Sequence, residues 1–173
     1  MRVKDKLKKI KVLALDVDGV LTEGGIVIDS SGHEIKVFNV LDGFGIVIAQ
    51  RAGLKTAIIT ARRSRPVSFR ANDLKVNKVY QDAFPKTHAY EKMLKEFAVK
   101  DSEVCFVGDD LPDLPLLKRV GFAVTVPGAA AGIKRYADYV TKRAGGQGAV
   151  REVIELILTA QGKWQKILEK FGG

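Results

Sequence analysis

The chain has 173 residues, of which 46% are hydrophobic and 28% charged, and carries a formal net charge of +9. That balance suits one folded domain over residues 1–173 and excludes a disordered or fibrous chain, while a single cysteine excludes an intramolecular disulfide. The positive charge asks for an anionic partner, but only 8% of residues are aromatic and the lysines gather at the two ends, which argues against nucleic acid. No apolar run has the length of a membrane span or the form of a signal peptide, so no membrane partner and a cytoplasmic location are the expectation.

The first apolar run, residues 12–15, is too short for a helix and reads as a buried strand. It runs into Asp16-Val17-Asp18-Gly19-Val20-Leu21-Thr22, with two carboxylates two residues apart. Residues 25–29 and 33–38 flank Ser30-Ser31-Gly32 and read as an inserted β-hairpin spanning about 25–38. An isolated hairpin is marginal in water, so this one needs a surface to pack on, and a second subunit is the candidate. Helical spacing follows at 43–52, then a strand at 56–59 ending in Thr60 and a helix at 66–72. Lys86 opens a helical stretch at 87–97. The strand at 104–107 holds Cys105 as a small buried hydrophobe and ends in Gly108-Asp109-Asp110. A helix at 112–119, a strand at 122–124 and a helix at 129–136 come next. The glycine-rich stretch Gly145-Gly146-Gln147-Gly148 reads as a mobile loop near the mouth of a site; a helix at 149–159 and a tail at about 160–173, anchored by Trp164, complete the chain. Alternation of short apolar strands with helices predicts an α/β fold, a doubly wound, mainly parallel sheet without a large cap domain.

In such sheets ligands bind beyond the carboxyl ends of the strands, so the polar residues that close each strand are the candidates. Asp16, Asp18, Thr60, Lys86 and Asp109 converge there. Three carboxylates close together repel one another unless a cation lies among them, and hard oxygen ligands in small number point to Mg²⁺. Gly19 and Gly108 permit close backbone approach beside it. Single loop aspartates usually cap turns or helices, and Asp110 is open to that reading. Two acidic clusters at two strand ends, with a hydroxyl and a lysine at the others, argue against it for the rest.

On these residues the chain resembles the haloacid dehalogenase-like superfamily of phosphatases. Asp16 to Thr22 looks like its first motif, Thr60 its second, Lys86 its third, and Gly108-Asp109-Asp110-Leu111-Pro112-Asp113 its fourth. Within that superfamily, Asn39-Val40-Leu41-Asp42-Gly43-Phe44-Gly45 and the stretches 108–115 and 145–153 are similar to the capless sugar-acid phosphatases that hydrolyse 3-deoxy-D-manno-octulosonate 8-phosphate in lipopolysaccharide precursor synthesis. The resemblance implies that Asp16 is the nucleophile and Asp18 the general acid and then base. It implies that Thr60 and Lys86 hold the phosphoryl group. Asp16, Asp109 and the backbone carbonyl of Asp18 would hold Mg²⁺, with Asp113 orienting Asp109 or a metal-bound water. Asn39, Val40, Leu41, Asp42, Gly43, Arg62 and Arg70 would line a small anionic sugar-acid phosphate, together with Asp18 and Lys86. A cytoplasmic homotetramer with active sites near subunit interfaces is implied as well. The sequence departs from that pattern at Ala61, where glycine is usual, and at Phe84-Pro85, where polar residues are common. The rival from another class is a receiver-like phospho-signalling module. Asp18 separates the two readings, because an acid-base group beside the nucleophile serves turnover rather than a lasting phosphoryl mark.

Overall fold

The computed structural model describes residues 3–173; Met1 and Arg2, the start of the basic N-terminal run, lie outside the described residues. The strands are β1 (Val12–Leu15), β2 (Val27–Ile28), β3 (Glu34–Ile35), β4 (Lys55–Ile59), β5 (Lys78–Tyr80), β6 (Val104–Val107), β7 (Phe122–Thr125) and β8 (Tyr139–Val140). Six of them form one sheet in the order β5-β4-β1-β6-β7-β8, with every pairing parallel. The chain builds outward from β1 to β4 and β5 on one side, then returns to β6, β7 and β8 on the other. The strand order therefore reverses between β1 and β6, which opens a crevice at their carboxyl ends.

β1, β6 and β7 are buried along their whole length, as expected of strands covered on both faces. Leu13, Leu15, Ile58, Cys105, Val107 and Val124 face one apolar layer with α2 (Val40–Arg51) and α6 (Ala149–Ala160). Val12, Ala14, Ala57, Ile59, Val104 and Phe106 face the other, against α4 (Lys86–Phe97) and α5 (Leu114–Leu117). The side chains alternate because the strand period is two. α1 (Val3–Lys8) adds Leu7 to the first layer, as does α3 (Arg65–Asp73) with Val67 and Ala71.

Several expectations shift. The helix expected at 43–52 starts at Val40, because the Asn39 side chain accepts from the Leu41 and Asp42 amides and caps it. The helix expected at 129–136 shrinks to a single 3-10 turn at Lys134–Tyr136, interrupted by Gly132 at φ +83°. β5 and β8 join the sheet although their short, half-exposed edge sequences lack an apolar run. Gly145-Gly146 is packed rather than free: a Cβ on Gly145 would lie 1.7 Å from the Gly19 carbonyl oxygen, and the Gly146 amide donates to Val20 O at 2.9 Å. Trp164 opens a short helix, α7 (Trp164–Glu169), and lies against its own chain's core beneath the Arg151 guanidinium.

β2 and β3 pair antiparallel over two residues each, closed by an Asp29 carboxylate that accepts from the amides of Ser31 and His33. This hairpin has a surface in its own chain to pack on. Glu34 accepts from Arg62 at 3.0 Å and from the Ser64 hydroxyl at 2.5 Å, and Lys36 pairs with Asp18.

Candidate active site

The Asp16 amide continues the sheet ladder by donating to Val107 O at 3.0 Å, which fixes the first carboxylate at the strand-order reversal. Val17 O then accepts from the amides of Val20, Leu21 and Thr22, coiling the loop over the end of β1. Gly19 makes the coil possible, at φ +85° and so close to Asp109 that a Cβ would lie 2.0 Å from one of its carboxylate oxygens. Thr60 directly follows β4, its amide bound to Tyr80 O at 2.9 Å, and Lys86 is the first residue of α4. The result is a cleft of about 250 Å³ lined by Asp16, Asp18, Gly19, Thr60, Ala61, Arg62, Lys86, Asp109 and Asp110.

Lys86 is the pivot of its charges. Its side chain is 1% exposed, and its Nζ lies 2.9 Å from Asp16 Oδ1 and 2.5 Å from Asp113 Oδ1. Burial alone would lower the ammonium, but the attraction of Asp16 and Asp113 outweighs it and holds Lys86 above its ordinary range. Asp113 is fully buried and occupied: Oδ1 takes Lys86, and Oδ2 accepts from the amides of Asp109 at 2.9 Å and Asp110 at 3.1 Å. Asp113 therefore links the Lys86 ammonium to the backbone amides of Asp109 and Asp110. Asp110 caps the turn that follows, its side chain accepting from the Leu111 amide.

Asp16 and Asp109 carry the electrostatic strain. Burial, then repulsion from Asp113, pushes Asp16 up to about 7. Burial, then repulsion from Asp16 and Asp113, pushes Asp109 up to about 7 as well. Carboxylate oxygens of Asp16, Asp109 and Asp113 all come within 4.8 Å of one another, and Asp109 Oδ1 is buried with no hydrogen-bond partner. A buried, unpartnered acceptor among three acids fits a small, hard divalent cation, which would neutralise the repulsion and fill that acceptor.

The Asp18 carboxylate pairs with Lys36, and the Nε of Arg62 lies 3.9 Å from Asp18 Oδ2. Lys36 and its partner Glu34 are the site residues that sequence reasoning missed. The signal was available in Glu34-Ile35-Lys36-Val37, whose alternation puts two charges on one face of the hairpin and two aliphatics on the other.

The remaining expected substrate residues lie elsewhere. Asn39, Asp42, Gly43 and Arg70 line a separate, narrow apolar cavity with Leu21, Phe38, Ile46 and Leu74. Asn39 caps α2, and Val40 and Leu41 are exposed on its first turn. Asp42, 1% exposed, caps the other helix instead, accepting from the amides of Arg151 at 2.8 Å and Gly148 at 3.3 Å. Arg70 pairs with Asp73 at 2.7 Å and lies over Gly43, where a Cβ would be 2.2 Å from its Nη2; its Nε is buried without a partner. The departure at Ala61 is accommodated, since among the described non-glycine residues only Lys75, Asp82 and Ala98 have positive φ. Phe84, at the other departure, stands 74% exposed just before the lysine helix.

Residues 66–154 match the family model of the haloacid dehalogenase-like hydrolases. The chain is 44% identical over 158 residues to the 3-deoxy-D-manno-octulosonate 8-phosphate phosphatase KdsC of Escherichia coli K12, covering 91% of this chain and 84% of that protein. Against the Salmonella typhi enzyme of the same name the identity is 44% over 161 residues, covering 93% and 86%. Among solved structures, the 3-deoxy-D-manno-octulosonate 8-phosphate phosphatase of Moraxella catarrhalis, in complex with magnesium, phosphate and KDO, superposes with a TM-score of 0.95 at 39% identity, covering 97% of each chain. The Yersinia pestis enzyme does so with a TM-score of 0.93 at 40% identity, covering 94% of this chain and 88% of that one.

Proposed function

The chain belongs to the haloacid dehalogenase-like hydrolases, and we propose that it is a Mg²⁺-dependent phosphatase hydrolysing 3-deoxy-D-manno-octulosonate 8-phosphate to the free sugar acid and phosphate. The observation that carries the chemistry is the contact of Asp16 Oδ1 with the buried Lys86 ammonium, beside the unpartnered Asp109 Oδ1, in one open cleft. The substrate rests on the 44% identity to enzymes of that name and on the close superposition with one that holds magnesium, phosphate and KDO.

In this reading Asp16 attacks the phosphorus in line, the sugar oxygen departs, and an aspartyl-phosphate forms on the Asp16 carboxylate. Asp18 protonates the departing oxygen and then takes a proton from the water that hydrolyses the acyl phosphate. Lys86 stabilises charge on the transferring phosphoryl oxygens, and Thr60 donates a hydrogen bond to one of them. Asp16, Asp109 and the Asp18 carbonyl would hold the metal, with Asp113 fixing Asp109 and Lys86. Mg²⁺, when bound, supplies neutralisation of the phosphate charge and of the acidic cluster. Arg62 borders the cleft and faces the sugar end.

Asn39, Val40, Leu41, Asp42, Gly43 and Arg70 lie outside the cleft, with Asp42 and Gly43 buried, so we assign the accessible ones, Asn39, Val40, Leu41 and Arg70, to the substrate held in a neighbouring subunit's site. A homotetramer in the cytoplasm completes the proposal. Support comes from the hairpin, where five aliphatic side chains, Ile26, Val27, Ile28, Ile35 and Val37, are exposed. A monomer with full activity would contradict that arrangement.

The receiver-like alternative is disfavoured because both Asp16 and Asp18 leave the same strand beside an open cleft. The test is phosphate release over a panel of phosphorylated sugar acids. The expected outcome is sustained Mg²⁺-dependent turnover with preference for 3-deoxy-D-manno-octulosonate 8-phosphate, abolished in Asp16→Asn. Stoichiometric phosphorylation without turnover would favour signalling.

A further inference from the structure

Lys36 is a cation almost without exposure, 1% of its side chain, at the rim of a hydrolytic cleft and outside every motif named above. A buried ammonium is costly unless paired, and Lys36 is paired twice, with Asp18 and with Glu34 Oε1 at 3.1 Å. Glu34 in turn takes Arg62 and the Ser64 hydroxyl. Two acids and two bases thus form one closed network whose charges cancel.

Fastening the hairpin explains only part of it. Glu34 already ties β3 to Arg62 and Ser64, beyond the end of β4, without any help from Asp18. Asp18, by contrast, has no other close partner among the described residues: its carboxylate touches Lys36, and Arg62 at the longer 3.9 Å. Lys36 is held from behind by Glu34 and closed off from solvent, so its ammonium is a fixed point rather than a mobile surface charge. One carboxylate oxygen of Asp18 is anchored there, and the other, 3.9 Å from Arg62 Nε, takes no hydrogen bond from the described residues although Asp18 lines the cleft.

We propose that Lys36 is a positioning residue for catalysis, holding the Asp18 carboxylate in the orientation from which it activates the water that hydrolyses the aspartyl-phosphate. The inference rests on the acid-base role proposed for Asp18. In a family member without a large cap, the hairpin then has a chemical task inside its own subunit, delivering a side chain that sets the base. Arg62 stabilises Glu34 and so supports Lys36 indirectly.

The experiment uses p-nitrophenyl phosphate, whose leaving group departs without protonation, so that loss of a well-placed base falls on the second step. Lys36→Met is expected to release a burst of p-nitrophenolate equal to the enzyme present and then turn over at least about tenfold more slowly than wild type. Acid-quenched protein should carry one added phosphoryl group on Asp16. Lys36→Arg should restore a large part of the steady rate. A general loosening of the site would slow turnover without accumulating the covalent form, and that result overturns the proposal, as does wild-type turnover. The double variant Glu34→Gln/Lys36→Gln leaves no orphaned carboxylate on the hairpin and gives the same burst if Lys36→Met fails to fold; a slow steady rate without it overturns the proposal. Asp18→Asn separates the premises. A burst there with none in Lys36→Met overturns the role of Lys36 alone, and none in either overturns the acid-base role beneath it.

Discussion

Gly19 and Asp109 show how little room the cleft leaves at single-residue scale. Gly19 has a positive φ, which costs other residues roughly 1–2 kcal/mol, and its missing Cβ is where an Asp109 carboxylate oxygen lies. Gly19→Ala should therefore lower stability modestly and, more specifically, displace Asp109. Thermal denaturation with and without Mg²⁺ checks this: the metal-induced rise in Tm should shrink or vanish, and an undiminished rise would show that Asp109 tolerates the displacement. Asp16 and Asp109 give a pH dependence of defined sign. Both are raised from 3.8 to about 7 in the folded protein, so between those values the metal-free fold binds protons that the unfolded chain has released. Stability of the metal-free protein then falls as pH rises through that window. A cation needs both groups ionised, so its stabilisation should grow over the same interval. The difference in Tm on adding Mg²⁺ is expected to be larger at pH 8 than at pH 5, and equal differences would contradict the assignment of these two carboxylates.

At the scale of elements, α2 and α6 are joined by one side chain. Asp42 sits in the first turn of α2, yet its oxygens accept from Gly148 and Arg151 at the start of α6, tying two helices that are distant in sequence. Asp42→Ala should leave those amides without partners, a loss of about 1–3 kcal/mol, read as a drop in Tm of roughly 2–4 °C per kcal/mol. An unchanged Tm would mean that water replaces the carboxylate. This tie also marks where sequence reading stops. The residues that end β1, β4 and β6 could be assigned to the cleft because a strand end has one direction and the polar residue beyond it has one place to go. Asp42 could not, because its partners are 106 and 109 positions away and nothing local encodes them. The glycines at 145 and 146 read as freedom when alone in sequence, but in the fold they are the space into which the Asp16 loop packs. The helix expected at 129–136 lost to Gly132, whose φ of +83° a helix cannot contain. Lys36 was missed for a different reason: its period-two partner Glu34 gave the face, but only tertiary contact shows that the face meets Asp18.

For the whole molecule, the sheet supplies a rigid rim and the hairpin supplies a small, fixed cover over it. The parallel α/β class and the position of the cleft follow from alternating strands and helices, and the structure agrees, with six parallel strands reversing order between β1 and β6. The edges β5 and β8 were less legible, since a half-exposed strand needs no apolar run. The separation of Arg70 and Asn39 from the cleft is a property of the assembled chain, and it is what makes a neighbouring subunit part of the proposed site. The proposed mechanism requires that Asp16 become covalently phosphorylated on the way to products. Its most direct test is to mix the enzyme with Mg²⁺ and excess 3-deoxy-D-manno-octulosonate 8-phosphate, quench in acid within a turnover, and map phosphoryl groups on the peptides by mass. One phosphoryl group on Asp16 is expected, absent in Asp16→Asn together with turnover. Sustained phosphate release by Asp16→Asn, or a phosphoryl group found on another residue, would contradict it.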